Sequence, residues 1–231
     1  MSAICRNVAL VPQPVPARNK GGDCFACATL AAMRHLFPEN PPTFDQCWEA
    51  FEVESTDAEG VSRKHLSNTF PGMRGALWNL YSAGWKIEIV ADRVDPRPGD
   101  PEHESHNWGA QVGGYEYARR LEAWLHAGYV ALGNLMYRPC KTGEWTLNPD
   151  GSVHRNHNDH FVLYDGVRSG WRRHAVVDGA RTLVYQVHVV CSANGGRSYW
   201  IDVDDLLTQH GAGGWWLIRP DMRGELPAEA S

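Results

Sequence analysis

No stretch of this 231-residue chain approaches the roughly 18 uninterrupted apolar residues that a membrane-spanning helix needs. The segment 1–17 lacks the basic start and apolar centre of a secretory signal, so a soluble, cytoplasmic protein that engages no membrane is expected. Basic charge is scarce too. Lys and Arg number 22 against 27 for Asp and Glu, a net charge of −5, which excludes a general cationic field for nucleic acid. Cysteine is sparse, with six scattered residues at 5, 24, 27, 47, 140 and 191, unlike a disulfide scaffold and in keeping with a reducing compartment. Repeats and low-complexity tracts are absent. What remains is an ordinary globular composition, 43% hydrophobic, with ten tryptophans.

At roughly 150 residues per domain, the length suits one domain with insertions. Pro12, Pro14 and Pro16 followed by Gly21-Gly22 make 1–22 an extended arm. Residues 23–220 form the domain, with loop insertions at 92–113 and 138–158, and 221–231 read as a flexible tail. Helices are predicted from Cys24 to Phe37 behind Asp23 as N-cap, from Thr43 through Phe51, from Gly72 to Tyr81, and from Tyr115 to Ala127. Strands are predicted at 85–91, at 129–137, and then as a run: His160 to Val167, a turn at Ser169-Gly170, Trp171 to Gly179, and 182–190. A short helix near Asp202 and a strand over 214–220 close the domain. Helices first and antiparallel strands after are the α+β order.

Chemistry points to Gly21-Gly22-Asp23-Cys24-Phe25-Ala26-Cys27. A cysteine in the first turn of a helix meets free N–H groups and the positive end of the helix dipole, which favour thiolate and can receive an oxyanion. His160 heads an apolar strand, and Asp178 ends the strand expected to pair with it, so a hairpin turning near Ser169 would bring base and carboxylate to one end. Thiol, base and orienting carboxylate are the parts of an activated cysteine nucleophile.

These anchors, Asp23-Cys24-Phe25-Ala26-Cys27, His160-Phe161-Val162-Leu163 and Val177-Asp178-Gly179, resemble the papain-like cysteine peptidase superfamily, most closely its bacterial double-glycine peptidase-like (C39-like) branch. The resemblance implies a nucleophile helix in an N-terminal helical part packed on a C-terminal antiparallel sheet. It implies cysteine-dependent hydrolysis of a peptide or isopeptide bond through a thioester, with Cys24 as nucleophile, His160 as base and Asp178 orienting it, and it implies no cofactor. The family's oxyanion glutamine has no counterpart at Arg18; Asn19 is the nearest amide, with Gln13 a second choice. Trp200 and Trp215 are candidates to wall a peptide or acyl cleft, against the alternative that both are core.

Competing readings rest on the same residues. Cys24-Phe25-Ala26-Cys27 is also the C-x-x-C of thiol oxidoreductases, and Gly-Gly-x-Cys resembles the cysteine loop of arylamine N-acetyltransferases. An inactive papain-like binding module is a further alternative, supported only by the missing glutamine, and the presence of all three triad residue types favours an active enzyme. His154, His157 and His160, with His103 and His106, raise metal ligation, but no matching thiol or acidic ligand recurs beside them, and no metal is expected there.

Overall fold

The computed structural model describes residues 3–18, 23–56, 58–67, 70–92, 112–136, 146–147, 153–154, 159–173, 181–193, 196–209 and 213–222. In chain order these form β1 (Ile4–Cys5), α1 (Cys24–Leu36), α2 (Phe44–Glu49), β2 (Glu52–Thr56), β3 (Ser62–Leu66), α3 (Phe70–Ser82) and β4 (Ile87–Asp92). There follow α4 (Gly114–His126), β5 (Val130–Met136), β6 (Thr146–Leu147), β7 (Val153–His154), β8 (Asp159–Arg173), β9 (Arg181–Cys191), β10 (Arg197–Asp202), α5 (Val203–Gln209) and β11 (Trp215–Pro220). Every strand pair is antiparallel, and the class is α+β. The main sheet runs β10-β9-β8-β5-β11-β4, with β1 added against β8.

Local rules explain the helix ends. Thr43 caps α2 through a full capping box, its hydroxyl accepting from Gln46 N–H while the Gln46 side chain accepts from Thr43 N–H. The end of α4 turns through Gly128 at φ 95°, where the Gly128 and Tyr129 amides donate back to Leu125 and Trp124 carbonyls. Pro38 stands two residues beyond α1 and cannot extend it.

Alternation along the strands builds two cores. Leu132, Phe161, Leu163, Trp216 and Ile218 face a cluster containing α1, α2 and α3; their neighbours Ala131, Val162, Tyr164, Trp215 and Leu217 face a second cluster with α4 and α5. The sheet therefore carries helices on both faces. The period-2 pattern of YVALG, residues 129–133, and of WWLI, residues 215–218, reads as continuous apolar sequence because both faces are buried.

Two features differ from the sequence reading. β8 runs unbroken through Ser169 and Gly170, which pair with Tyr185 and Val184, and the ladder continues to Arg173 opposite Arg181. The predicted turn at Ser169-Gly170 is thus a strand interior: the paired strand supplies the ladder partners that a local Ser-Gly signal cannot announce. The hairpin of β2 and β3 and the edge strand β10 had no expectation attached, being charged or short segments whose pairing is non-local. The arm expected to lie over the domain runs along it at residues 6–13, with Arg6 N–H donating to Asp165 carbonyl and Gln13 N–H to Ser192 carbonyl, while β1 pairs Cys5 with Gly166. Most of the two predicted insertions, and 223–231, lie outside the described residues.

Candidate active site

Cys24 is the first residue of α1, and α1 packs against β8. The Phe161 N–H points at Cys24 Sγ, 3.5 Å away, so the thiol is held at the head of the strand that carries His160. One peptide unit separates that nitrogen from His160 Cα, which places Cys24 Sγ within about 6 Å of it. On β9, Cys191 completes the group: its Sγ lies 3.1 Å from His160 Nε2. His160 and Cys191 thus pair side chain to side chain across β8 and β9, while Cys24 Sγ meets the β8 backbone one residue on, and all three residues are buried, at 6%, 5% and 4% exposure for Cys24, His160 and Cys191.

Burial sets the protonation. The Cys24 thiol is pushed up to about 11, although the amides of Phe161, Phe25 and Cys24 itself pull the other way. The helix-start N–H groups are thus where the sequence placed them, but desolvation of the thiolate outweighs them, and the expectation of a preformed thiolate is corrected to a neutral thiol. Burial also drives His160 down to about 4, leaving a neutral imidazole. The Cys191 thiol is raised, again by burial first.

The arm supplies the amide. Gln13 Oε1 accepts from Asp23 N–H at 3.1 Å, and Gln13 Nε2 donates to Ser192 Oγ at 3.4 Å, bridging the start of α1 to the end of β9. The second-choice amide of the sequence reading is therefore beside the nucleophile helix; Asn19 lies outside the described residues. Asp23 occupies the N-cap position but makes no side-chain cap, its carboxylate instead accepting from Arg18 N–H at 2.7 Å.

Asp178 also lies outside the described residues. What the ladder does settle is the register: Leu163 pairs with Val190, so the β9 residues beside His160 are those around Cys191 and Ser192. A hairpin turning at Ser169, on which the pairing of His160 with Asp178 rested, is not formed. The signal for Cys191 was in the sequence as the end of TLVYQVHVVC, but only the register makes it a neighbour.

Trp215 is fully buried, its ring 4.5 Å from that of Tyr117, and it is core rather than a cleft wall. Trp200 pairs with His188 on β9, with ring centroids 5.0 Å apart, and carries the Arg168 guanidinium 4.3 Å over its other surface. That position is level with Gly166, six residues along β8 from His160. Cys27 is fully buried, its thiol donating to Pro12 carbonyl at 3.6 Å and raised to about 12 mainly by burial. A redox C-x-x-C needs an accessible low-pKa thiol, which neither Cys24 nor Cys27 is here.

No family model, curated protein or solved structure matches this chain. The chemistry must therefore be argued from these side chains. Among the described residues, no helix is long and apolar enough to cross a membrane.

Proposed function

We propose that the protein is a cysteine-dependent amide hydrolase of papain-like type, acting on a peptide or protein amide through a thioester. The observation that carries the reading is the Phe161 N–H contact to Cys24 Sγ, which seats a helix-start cysteine on the backbone of the strand that His160 heads. Cys24 Sγ attacks the carbonyl carbon as its proton passes to His160, and the oxyanion meets the amides that open α1 together with the Gln13 side chain. The C–N bond then breaks, the amine leaves with the proton from His160, and water, deprotonated by His160, hydrolyses the thioester and restores the thiol. At neutral pH both groups rest uncharged, and transfer from a raised thiol to a lowered imidazole is uphill, so the proton moves together with attack on the carbonyl and not before it.

The 3.1 Å contact of His160 with Cys191 favours a second reading in which Cys191 is the nucleophile of the same reaction. Mixing the protein with p-nitrophenyl acetate and mapping the acetyl group by mass spectrometry separates the two. The expected result is a burst of one equivalent of nitrophenolate with the acetyl group on Cys24, lost in Cys24→Ser and His160→Ala and weakened in Gln13→Ala. Acetyl on Cys191 establishes the second reading, and no stoichiometric burst overturns both.

A further inference from the structure

On the same sheet, six residues along β8 from His160, a second cluster is built by three strands. Cys5 of β1 and His188 of β9 flank Gly166 of β8 from either side, since Cys5 and His188 both pair with that glycine. Asp165, the residue before it, is fully buried and directs Oδ1 to His188 Nδ1 at 2.6 Å. Cys5 Sγ lies 3.7 Å from the same ring nitrogen. The thiol, the carboxylate oxygen and the imidazole nitrogen all fall within 4.8 Å of one another, and no other such trio occurs among the described residues.

We propose that Cys5, Asp165 and His188 form a binding site for a divalent transition-metal ion of the zinc type. The donor set decides the class of ion: a thiolate and an imidazole with one carboxylate suit a borderline-soft cation and not calcium or magnesium, which take oxygen ligands. In a tetrahedral zinc site, bonds of about 2.0 Å to nitrogen and oxygen and 2.3 Å to sulfur put a nitrogen about 3.3 Å from an oxygen ligand and about 3.5 Å from a sulfur. The Cys5 to His188 spacing of 3.7 Å needs to close only slightly, and the Asp165 to His188 pair needs to part by less than about 1 Å as the ion replaces the proton between them. Charge closes as well, because one thiolate and one carboxylate neutralise a dication.

The surroundings hold these ligands in place. Asp165 Oδ2 accepts from Val8 N–H at 2.7 Å, which orients the carboxylate with Oδ1 toward the imidazole. Trp200 lies against the His188 ring. A side chain at position 166 would fill the space between them: a Cβ there would sit 3.0 Å from His188 Cβ, from Ile4 carbonyl and from the Trp200 ring. The neighbouring cations hydrogen-bond outside the cluster, Arg168 to Gln186 Oε1 at 2.8 Å and over Trp200, and Arg6 to Leu125 carbonyl, while Arg168 lies close enough to act on the Cys5 charge and Arg6 on that of Asp165. An ion here clips the N-terminal arm, the segment that brings Gln13 to the start of α1, onto β8 and β9.

Titrating the full-length protein with Co²⁺ tests the site, because a cysteine-ligated cobalt ion gives a thiolate charge-transfer band. One equivalent is expected to bind, with the band displaced by Zn²⁺, absent in Cys5→Ser and His188→Gln, and retained in Cys24→Ser. A wild-type protein without the band, or a band that survives Cys5→Ser and is lost in Cys24→Ser, overturns the proposal. Should the variants fail to fold, the wild type alone decides: Zn²⁺ must slow alkylation of Cys5 relative to Cys47, and equal rates with and without Zn²⁺ reject the site. The acetyl burst at Cys24 is read separately, so failure of the hydrolase reading and failure of the metal site are distinguishable.

Discussion

Acidification makes His160 a destabilising residue, and the size of the effect follows from its burial. The ring is 5% exposed, and burial holds its pKa at about 4 against 6.5 for the unfolded chain. Between those values the unfolded chain binds a proton that the folded chain refuses, so stability is full above 6.5 and falls as the pH drops toward 4. The thiols of Cys24 and Cys191 beside it stay neutral throughout this window and offer the imidazolium no counter-charge. At pH 5, a shift of this size removes about 2 kcal/mol, and below pH 4 about 3 kcal/mol. Urea denaturation at pH 7.5 and pH 5, on wild type and His160→Gln, isolates the term from the other ten histidines. The wild type should lose about 2 kcal/mol more between the two pH values than the variant does. Equal losses in the two proteins would show that the folded state accommodates a charged His160, and the neutral-base mechanism would go with it.

The same burial predicts that alkylation of Cys24 by iodoacetamide, located by mass spectrometry, rises about tenfold per pH unit from pH 7 to 10; a plateau near neutrality would reveal a preformed thiolate and imidazolium pair. Phe51→Ala removes a fully buried ring packed edge-on against Phe25, with centroids 4.7 Å apart, and should cost about 3 to 5 kcal/mol in a denaturant melt; a loss under about 1 kcal/mol would contradict that packing. Thr43→Ala breaks the capping box of α2 and should cost about 1 kcal/mol by the same assay, whereas no change would mean the cap contributes nothing.

Much of the secondary structure was legible because its causes are local. The alanine-rich run after Asp23, the Thr43 cap with its Phe44, Cys47, Trp48, Phe51 stripe, and the glycine after Ala127 each state an element by propensity, periodicity or backbone freedom. So did the pairing of a helix-start cysteine with a histidine strand, since the anchor residues are type-specific. The protonation of that pair was not legible, because desolvation depends on what covers a thiol and the helix dipole alone was visible.

By itself, then, the sequence determined the α+β class, the principal helices and the two residues, Cys24 and His160, around which a nucleophilic site is argued. Tertiary structure alone decided where β8 ends, that Cys191 and Gln13 join the site, that Trp215 is core, and that Cys5, Asp165 and His188 meet across three strands. The reason is strand register. A sheet brings together residues far apart in sequence, here 5, 165 and 188, by pairings that long-range burial and ladder hydrogen bonds select, and no local pattern in the chain encodes which residues those pairings will place face to face.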